Sequence, residues 1–550
     1  MANSTNEIFI LRDNIIEGSP VADGFVENYY LENRLAGQAK MMTPLLGDDF
    51  GETLTTVGGF CKLVSHINVS IATTPATDTK ARFALTFREQ GGFRDKWAAT
   101  VPLNGEQICI EVATCEDNPA ALASFQITFP AYTIATITLS LTLRENLPFP
   151  QMPPDKPIVF ASLPYQQMIA NSLISLGNLS RLQRAIAKAR AGKKVTLAYI
   201  GGSITQGAGA KPINNMCYAK RATLAFAKRL DITPEQIHFI KAGIGGTPSQ
   251  LGIARYHADI THDPLNPPDI VVIEFAVNDY ADETLGVAYE SLCLMAQDGP
   301  GSPAVVLLFS VFANDENLEE RLVKVGIRHH FPIVSAKAAV LPQYDKDEDT
   351  IVTRRQYFHD ILHPSNSGHQ IMADALDYLW QAAIEAKPQE EFPPAAAIIG
   401  DDFRNMRVLN RSSITTDPAV ISYDLGGFTA IDELLHSVER DDDIHTTPQF
   451  SDNWKYCGKK PEAEQTAFKM EIECKDLLLV YKDTHEADFA AATIFIDGVY
   501  LRDIDPRAAG WIHCGSTFII RGKEKARHNV EIRPLGGANG LFTILAFGYT

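Results

Sequence analysis

A serine follows two glycines at the end of an apolar run in the middle of the chain. Residues 195–200 read Val-Thr-Leu-Ala-Tyr-Ile, and Gly201 and Gly202 separate this run from Ser203. A serine just past the carboxyl end of a parallel strand lies where α/β proteins bind ligands, and glycines there allow a tight turn. The hydroxyl of Ser203 is therefore a candidate nucleophile. A plain strand-to-helix turn that Ser203 only caps is the structural alternative.

A serine hydroxyl attacks efficiently only when a base removes its proton, so a histidine with an orienting carboxylate is also required. Among the 14 histidines, His363 has the most suitable neighbour, because Asp360 precedes it by three residues in FHDILHPSNSGH. That spacing lets the carboxylate reach Nδ1 while Nε2 points away. One alternative is a surface loop in which Ser365 or Ser367 caps the next helix. Another is a metal site at His359 and His363, but no third cluster of ligands accompanies them.

Hydrogen-bond donors for a developing oxyanion are the third requirement of acyl transfer. The segment KAGIGGTPSQLGIAR frees backbone N–H groups at Gly243, Gly245 and Gly246. The strand-like run DIVVIEFAVND reaches Asn278, whose side-chain amide is expected at the same sheet edge as Ser203. Taken singly, a glycine turn is a weak indication, and an asparagine commonly just ends a strand.

Strand, glycine turn and helix alternate between residues 158 and 390, and this alternation would position these groups. Apolar runs predict buried strands at VTLAYI, DIVVIEFAV, PAVVLLFSVF and FPIVSA. Helical periods occur in LSRLQRAIAKARAGKK, CYAKRATLAFAKRL and GHQIMADALDYLWQAAIEA. The pattern predicts an α/β domain with a parallel sheet, helices on both faces and a ligand site at the carboxyl ends of the strands.

Regions rich in β-type residues flank this domain. Residues 1–150 and 395–550 are predicted to form antiparallel β-sandwiches with few helices, as in the strand-like run FCKLVSHINVSIATT. The proline-rich stretches LPFPQMPPDKP and KPQEEFPPAAA separate them from the centre. No internal repeat relates the two regions, and the sequence leaves open whether they bind ligands, pack on the centre or mediate homo-oligomerisation.

Length, charge and cysteine content restrict the class of protein. The 550 residues exceed one core, since cores stop growing near roughly 250–300 residues. A net charge of −18 disfavours nucleic acid and anionic membranes as partners. Without a leader-like N-terminus or a membrane-spanning apolar run, a cytoplasmic protein is expected. Eight cysteines without a Cys-x-x-Cys pair are expected to be buried thiols, not a disulfide framework or a zinc site.

The order of these features resembles the SGNH hydrolases, also called the GDSL-like esterase superfamily, over about residues 190–385. The serine block comes first, then the glycine-rich turn, the Asn-Asp pair after a third strand, and Asp-x-x-His-Pro before the last helix. The resemblance implies a flavodoxin-like three-layer α/β/α core without metal or cofactor. Two departures are Gly-Gly-Ser-Ile-Thr in place of Gly-Asp-Ser-Leu, familiar among carbohydrate-active branches, and Ala276 in place of a glycine.

The resemblance also implies roles for individual residues. The implied catalytic triad consists of Ser203, Asp360 and His363. The implied oxyanion donors are the N–H of the nucleophile, the N–H of Gly246 and the side-chain amide of Asn278, with the preceding glycine as the alternative to Gly246. In this scheme the imidazole is the base, and the carboxylate orients it.

The substrate is predicted from the segments around the site and from the flanking regions. GAGAKPINNMCYAKR, after the serine, has no long apolar run to line an acyl-chain tunnel, which favours a short acyl group such as acetyl. The alternative is a helix approach with Tyr218 in the core. Trp454 and Trp511 stand beside turn residues, as in sugar-stacking surfaces, although aromatic residues of sandwiches also pack in cores. Gln206, Trp454 and Trp511 are the expected substrate-binding residues.

With its accessory β domains, the C-terminal one of a jelly-roll or carbohydrate-binding type, the chain is similar to esterases that deacetylate plant-polysaccharide oligosaccharides. An acetylated oligosaccharide is therefore the expected partner. A lipid esterase or thioesterase of the same superfamily would use the same residues, and an acetyltransferase would pass the acyl group to a sugar. A non-catalytic carbohydrate-binding protein with a degenerate core is the alternative from another class.

Overall fold

The computed structural model covers three successive regions, each with its own sheets. The residues that the structure describes are 4–18, 26–30, 34–89, 92–128, 130, 133–344, 346, 350–439, 446–456, 467–484, 486–509, 511–535 and 540–550. Within these ranges, no helix is both long enough and apolar enough to cross a membrane.

The N-terminal region contains two antiparallel sheets. Its strands are β1 (Thr5–Glu17), β2 (Val26–Tyr30), β3 (Val64–Thr73), β4 (Lys80–Glu89), β5 (Gly92–Pro102), β6 (Ile108–Glu111), β7 (Leu122–Thr128) and β8 (Ile134–Leu147). Their orders are β1-β8-β3-β6 and β2-β7-β4-β5. Apolar residues of both sheets, such as Ile67 and Phe125, belong to one buried cluster, so the two sheets share a core.

Helices interrupt this region more than the sequence indicated. They are α1 (Arg34–Met42), α2 (Asp48–Thr53) and α3 (Val57–Leu63). The prediction of a strand from residue 60 onward was wrong for residues 60–63, which are helical. The Thr56 side chain accepts a hydrogen bond from Gly59 N, and such a cap favours a helix over an extended chain.

Two of the cysteines form a disulfide, which contradicts the expectation of a thiol at each position. Helix α3 brings Cys61 next to Cys115, with 5.8 Å between their Cα atoms. The two residues are 54 positions apart, so only the fold makes them neighbours. Cys109 is an exposed thiol, and Cys457 lies outside the described residues. The buried thiols are Cys217, Cys293, Cys474 and Cys514.

A mainly parallel sheet forms the centre of the molecule. Its strands are β9 (Leu173–Ser175), β10 (Val195–Gly201), β11 (Ile237–Gly243), β12 (Ile270–Glu274), β13 (Ala304–Phe309) and β14 (Ile333–Ser335). The order is β11-β10-β12-β13-β14-β9, with β9 antiparallel at one edge. Gly201 at the end of β10 is level with Gly243 of β11 and Glu274 of β12. The carboxyl ends of these strands therefore meet at one place.

Helices connect these strands and pack on both faces of the sheet. Leu197 and Tyr199 of β10 lie in one cluster and Ala198 and Ile200 in another, because successive side chains of a strand point to opposite faces. The predicted mixed α/β architecture is confirmed. The helices are α4 (Leu163–Ala170), α5 (Ser180–Arg190), α6 (Ser203–Gln206), α7 (Ile213–Met216), α8 (Tyr218–Leu230), α9 (Ser249–Asp259), α10 (Val287–Asp298), α11 (Glu319–His329), α12 (Ala336–Tyr344), α13 (Arg354–Tyr357) and α14 (Asn366–Glu385).

The C-terminal region is β-rich, as predicted, and packs directly on the centre. Its strands are β15 (Arg407–Leu409), β16 (Val420–Asp424), β17 (Ser437–Glu439), β18 (Thr446–Pro448), β19 (Trp454–Tyr456), β20 (Phe468–Asp483), β21 (Ala492–Ile496), β22 (Val499–Ile504), β23 (His513–Pro534) and β24 (Phe542–Tyr549). The main sheet has the order β15-β24-β20-β23-β21-β22. Leu478, Val480 and Leu545 of this sheet share a buried cluster with Ala198 and Ile200.

Candidate active site

Ser203 stands at the start of α6, directly after the glycine pair that ends β10. A Cβ at Gly201 would overlap Thr205 Oγ1 and the carbonyl of Glu274, and a Cβ at Gly202 would overlap the side-chain amide of Asn278. Only glycine allows strand β10 and helix α6 to approach their neighbours this closely. The two glycines therefore bring Ser203 and Asn278 together.

Ser203, His363 and Asp360 lie in line at this end of the sheet. His363 Nε2 is 2.9 Å from Ser203 Oγ, and His363 Nδ1 is 2.9 Å from Asp360 Oδ2. The serine opens α6, whereas the other two residues lie in the loop before α14. The imidazole and the carboxyl side chain are 18% and 24% exposed, so the site opens to solvent. The arrangement has the geometry of a nucleophile, a base and an orienting carboxylate.

Asp360 is surrounded by groups that favour its ionised form. Its Oδ1 accepts hydrogen bonds from the N–H groups of Leu362 at 2.7 Å and His363 at 2.9 Å. Burial raises the pKa of Asp360, but attraction to His363 and the hydrogen bonds outweigh burial and hold this pKa well below its ordinary value. The carboxylate therefore remains charged beside the imidazole.

The glycine loop after β11 lies across from the serine. A Cβ built on Gly245 would be 3.7 Å from the Cβ of Ser203, and the N–H of Gly245 donates to Gln206 Oε1 at 3.2 Å. Gly246 adopts a φ of +71° and faces Trp511 and His513 instead. Gly245, the alternative named from the sequence, is thus the glycine that the structure places next to Ser203.

Asp279 connects the Asn278 turn to the glycine loop. Its carboxylate accepts hydrogen bonds from Ser249 N at 2.7 Å and Ser249 Oγ at 2.8 Å, at the start of α9. Burial raises the pKa of Asp279 well above its ordinary value. Asn278 and Asp279 therefore have different roles. The Asn278 side chain faces Gly202, and the Asp279 carboxylate holds the first residue of α9.

Arg255, which was not predicted from the sequence, holds the carboxyl ends of β10 and β11 in place. Its fully buried guanidinium donates to the carbonyls of Gly201 at 2.9 Å and Ala242 at 2.8 Å. It also pairs with Asp259 at 2.8 Å, whose other oxygen accepts a hydrogen bond from Gln449 of the C-terminal region. A buried charge needs such partners. In the sequence, the position of Arg255 at the end of the segment SQLGIAR was the only indication of this role.

Glu274 is a second buried charged residue that sequence reasoning missed. Its carboxyl group accepts hydrogen bonds from Ser310 Oγ and, at 3.2 Å, from Thr205 Oγ1, two residues after the nucleophile. Burial raises the pKa of Glu274 to about 7, despite the opposing hydrogen bonds and the charge of His363. The available signal was a glutamate directly after the apolar run IVVI at residues 270–273.

The C-terminal region supplies one wall of the site. A Cβ on Gly246 would lie 3.1 Å from His513 Nε2 and 3.3 Å from Trp511 Cζ2, and a Cβ on Gly245 would lie 4.0 Å from His436 Nε2. Burial lowers the pKa of His513, which favours the neutral ring. Trp511 therefore stands beside the glycine loop of the site, accompanied by His436 and His513, which the sequence did not assign to it; its binding of substrate stays a prediction.

Trp454, the other tryptophan predicted to bind sugar, does not lie at the site. Its side chain is 0% exposed and packs against Phe468 and Phe547 inside the C-terminal sheet. The expectation was wrong because β19 pairs with β24 in the interior, where an aromatic ring fills the core. Across the residues that the structure describes, no group of three or more His, Cys, Asp or Glu side chains is arranged to hold a metal ion.

Residues 199–371, which contain the serine, the histidine and the aspartate, match the model of the GDSL-like Lipase/Acylhydrolase family. The predicted resemblance is confirmed. The GDSL-like segment coincides with the part of the central region that holds the site. No curated protein sequence matches the chain.

Solved structures similar to this chain include esterases active on acetylated mannans. A two-domain esterase (CEX) active on acetylated mannans is 25% identical, with a TM-score of 0.57 over 69% of this chain and 98% of that one. The structure of such an esterase co-crystallized with mannopentaose gives 26% identity and a TM-score of 0.56, with the same coverage of 69% and 98%. The family and these structures support ester hydrolysis. About a third of this chain lies outside the match.

Proposed function

We propose that this protein is a serine esterase that removes acetyl groups from oligosaccharides derived from plant polysaccharides. The main support is the line of contacts from Ser203 Oγ to His363 and on to Asp360, at 2.9 Å each. This geometry matches what an acyl-enzyme mechanism needs from a serine, because a base and its orienting carboxylate are within hydrogen-bond reach.

In the proposed reaction, His363 Nε2 takes the proton of Ser203 as Oγ bonds to the ester carbonyl carbon. The tetrahedral intermediate collapses, the ester C–O bond breaks, and His363 gives the proton to the departing sugar oxygen, which becomes a hydroxyl. Water then attacks the carbonyl carbon of the acetyl-serine and passes a proton to the same imidazole. The bond from this carbon to Ser203 Oγ breaks, His363 returns the proton to Oγ, and acetic acid leaves and ionises to acetate. Asp360 remains ionised throughout and stabilises the imidazolium.

The oxyanion would be held by donors gathered around Ser203. We assign them to the N–H of Ser203, the side-chain amide of Asn278 and the N–H of Gly245. The third assignment replaces Gly246, because Gly245 faces the serine and Gly246 faces the C-terminal wall. Gln206 Oε1 accepts a hydrogen bond from the Gly245 N–H. In this scheme the substrate oxygen would replace Gln206 Oε1 as the acceptor, so the Gln206 side chain would lie beside the bound substrate.

The sugar would bind against the wall formed by Trp511, His436 and His513. Aromatic and imidazole rings offer a flat face to a sugar ring and polar edges to its hydroxyls. The similar two-domain esterase is active on acetylated mannans, which supports an oligosaccharide rather than a lipid as the substrate. The wall stands next to Gly245 and Gly246, so the bound sugar would present its ester to Ser203.

Mass spectrometry of acetylated manno- and xylo-oligosaccharides tests this proposal directly. We expect the parent protein to release acetate, with the corresponding mass loss, and Ser203→Ala to release none. Thr205→Ser, a conservative change two residues away, provides the folding control for the serine site. Activity on long-chain p-nitrophenyl esters without activity on acetylated sugars would instead indicate a lipid esterase or thioesterase, and turnover that survives Ser203→Ala would contradict the assigned nucleophile.

A further inference from the structure

A large cleft lies where the N-terminal region, the proline-rich stretch and the central region meet. It has a volume of about 870 Å³, within the range of roughly 300–1,000 Å³ that ligand pockets occupy. One wall comes from α1 and another from residues 152–156. The floor is formed by central loops, at residues 312–315 and 353–356. None of the roles assigned above uses this cleft.

The cleft adjoins the loop that holds the catalytic base. Ile361 and Leu362, the two residues between Asp360 and His363, are part of its lining. Ile361 is held from both sides, since its carbonyl accepts a hydrogen bond from Ala313 N at 3.0 Å and its side chain lies 3.3 Å from a Cβ built on Gly37 of α1. The cleft and the catalytic loop thus share a wall.

An aromatic pair links the turn after Asn278 to this cleft. Tyr280 follows Asn278 by two residues, and its side chain is 53% exposed. The ring stacks on Phe312 with 6.4 Å between centroids and 17° between planes, and Phe312 lines the cleft. An exposed tyrosine ring supported by a second ring is a surface suited to the C–H face of a sugar.

We propose that the Tyr280–Phe312 pair and this cleft bind sugar residues of the oligosaccharide that lie remote from the reacting acetyl group. The inference rests on the proposed function for the substrate class, but its site is different. A chain with its ester at Ser203 would pass Tyr280 and enter the cleft, whose lining includes the exposed side chain of Asn314. The N-terminal region would then select longer oligosaccharides, because α1 closes the far side.

Two variants test the cleft by comparing substrates of different length. Tyr280→Ala removes the exposed ring, and Asn314→Trp places bulk at an exposed lining position. For each variant the ratio of kcat/KM on acetylated mannopentaose to kcat/KM on p-nitrophenyl acetate is expected to fall roughly five- to tenfold, as for loss of one good binding contact. Tyr500→Ala removes another exposed tyrosine, on β22, and should leave the ratio at the parent value.

Direct binding separates this proposal from the proposed function. Isothermal titration of unacetylated mannopentaose should show binding to the parent and roughly tenfold weaker binding to Asn314→Trp, with parent-like thermal unfolding of the variant. If the parent hydrolyses neither ester, the proposed function fails, but weaker binding by Asn314→Trp still supports the cleft. Equal affinity of parent and variant, absence of binding to the parent, or an unchanged substrate ratio in both variants would overturn the proposal.

Discussion

At the scale of single residues, the site combines groups that act on charge with groups that only set distances. Asn278 and Gly202 show how the two kinds of group depend on each other. The Asn278 amide lies against Gly202, beside the peptide N–H of the candidate nucleophile. A side chain in that position can donate to an oxyanion only while Gly202 lacks a side chain. The glycine pair and the asparagine are therefore one unit, although 75 residues of sequence separate them.

Asn278→Ala should lower kcat for acetyl ester hydrolysis by roughly 10²- to 10³-fold, because one preorganised oxyanion donor is lost. KM should change little, since the donor acts mainly in the transition state. Steady-state kinetics with p-nitrophenyl acetate provides the measurement, and Asn405→Ala, which removes an exposed amide outside the site and the cleft, is the control. A rise in KM at constant kcat would mean that Asn278 binds the ground state.

The raised pKa of Glu274 predicts that the free energy of unfolding depends on pH. Its pKa in the folded protein, about 7, lies above the ordinary value of 4.5, so its protonated form stabilises the fold fully below about pH 4.5. That contribution is lost as the pH rises through about 7. Glu274→Gln lacks it, so the unfolding free energy of the parent relative to the variant should fall over this range. Urea unfolding at several pH values tests this, and a constant difference would contradict it.

At the scale of elements, the N-terminal strand β1 supports the loops of the candidate active site. Asn14 Nδ2 donates to the carbonyl of His359 at 2.9 Å, just before the catalytic loop. Glu17 Oε2 accepts a hydrogen bond from Ile213 N at 3.0 Å, in the segment after α6. One strand thus contacts the chain near both members of the Ser203–His363 pair.

Asn14→Ala should lower kcat about two- to tenfold with little change in KM, as expected for loss of one hydrogen bond that positions the base. Asn104→Ala, which removes an exposed turn hydrogen bond that Asn104 Oδ1 accepts from Glu106 N in the same region, is the matched control and should leave kcat unchanged. Hydrolysis of p-nitrophenyl acetate measures both. Equal effects of the two substitutions would indicate a general loss of stability instead.

At the scale of the whole molecule, the C-terminal region shares a buried apolar core with the central region. Leu478, Val480 and Phe518 lie in a buried cluster with helices of the central region. Gln250 Nε2 donates to the Ser516 carbonyl at 2.9 Å, and Thr517 Oγ1 donates to Glu283 at 2.8 Å. Removing the region would expose this apolar surface to water, which costs free energy in proportion to its area.

A chain shortened to residues 1–394 is therefore expected to unfold at a lower temperature than the full chain and to aggregate, rather than to lose only affinity for sugars. Thermal unfolding and gel filtration measure this outcome. Trp511→Ala, which changes the wall of the site without removing the shared core, should keep the parent unfolding temperature. A stable, monomeric short chain with full activity on p-nitrophenyl acetate would contradict the expectation.

The sequence by itself indicated Ser203, Asp360, His363 and Asn278, together with the central α/β architecture. These could be predicted because glycines that end an apolar strand, a carboxylate three residues before a histidine, and strand–helix alternation are local patterns. The carboxyl ends of adjacent parallel strands must also meet at one edge. Order along the chain was then enough to bring the groups together.

Tertiary structure alone decided which glycine faces the serine, which tryptophan reaches the site and which cysteines pair. Gly245 lies next to Ser203 whereas Gly246 faces the C-terminal wall, Trp454 is buried in the C-terminal region whereas Trp511 borders Gly246, and Cys61 pairs with Cys115 across 54 residues. Such choices depend on packing between distant segments. No local pattern encodes them, because the contacts that fix them exist only after the three regions have come together.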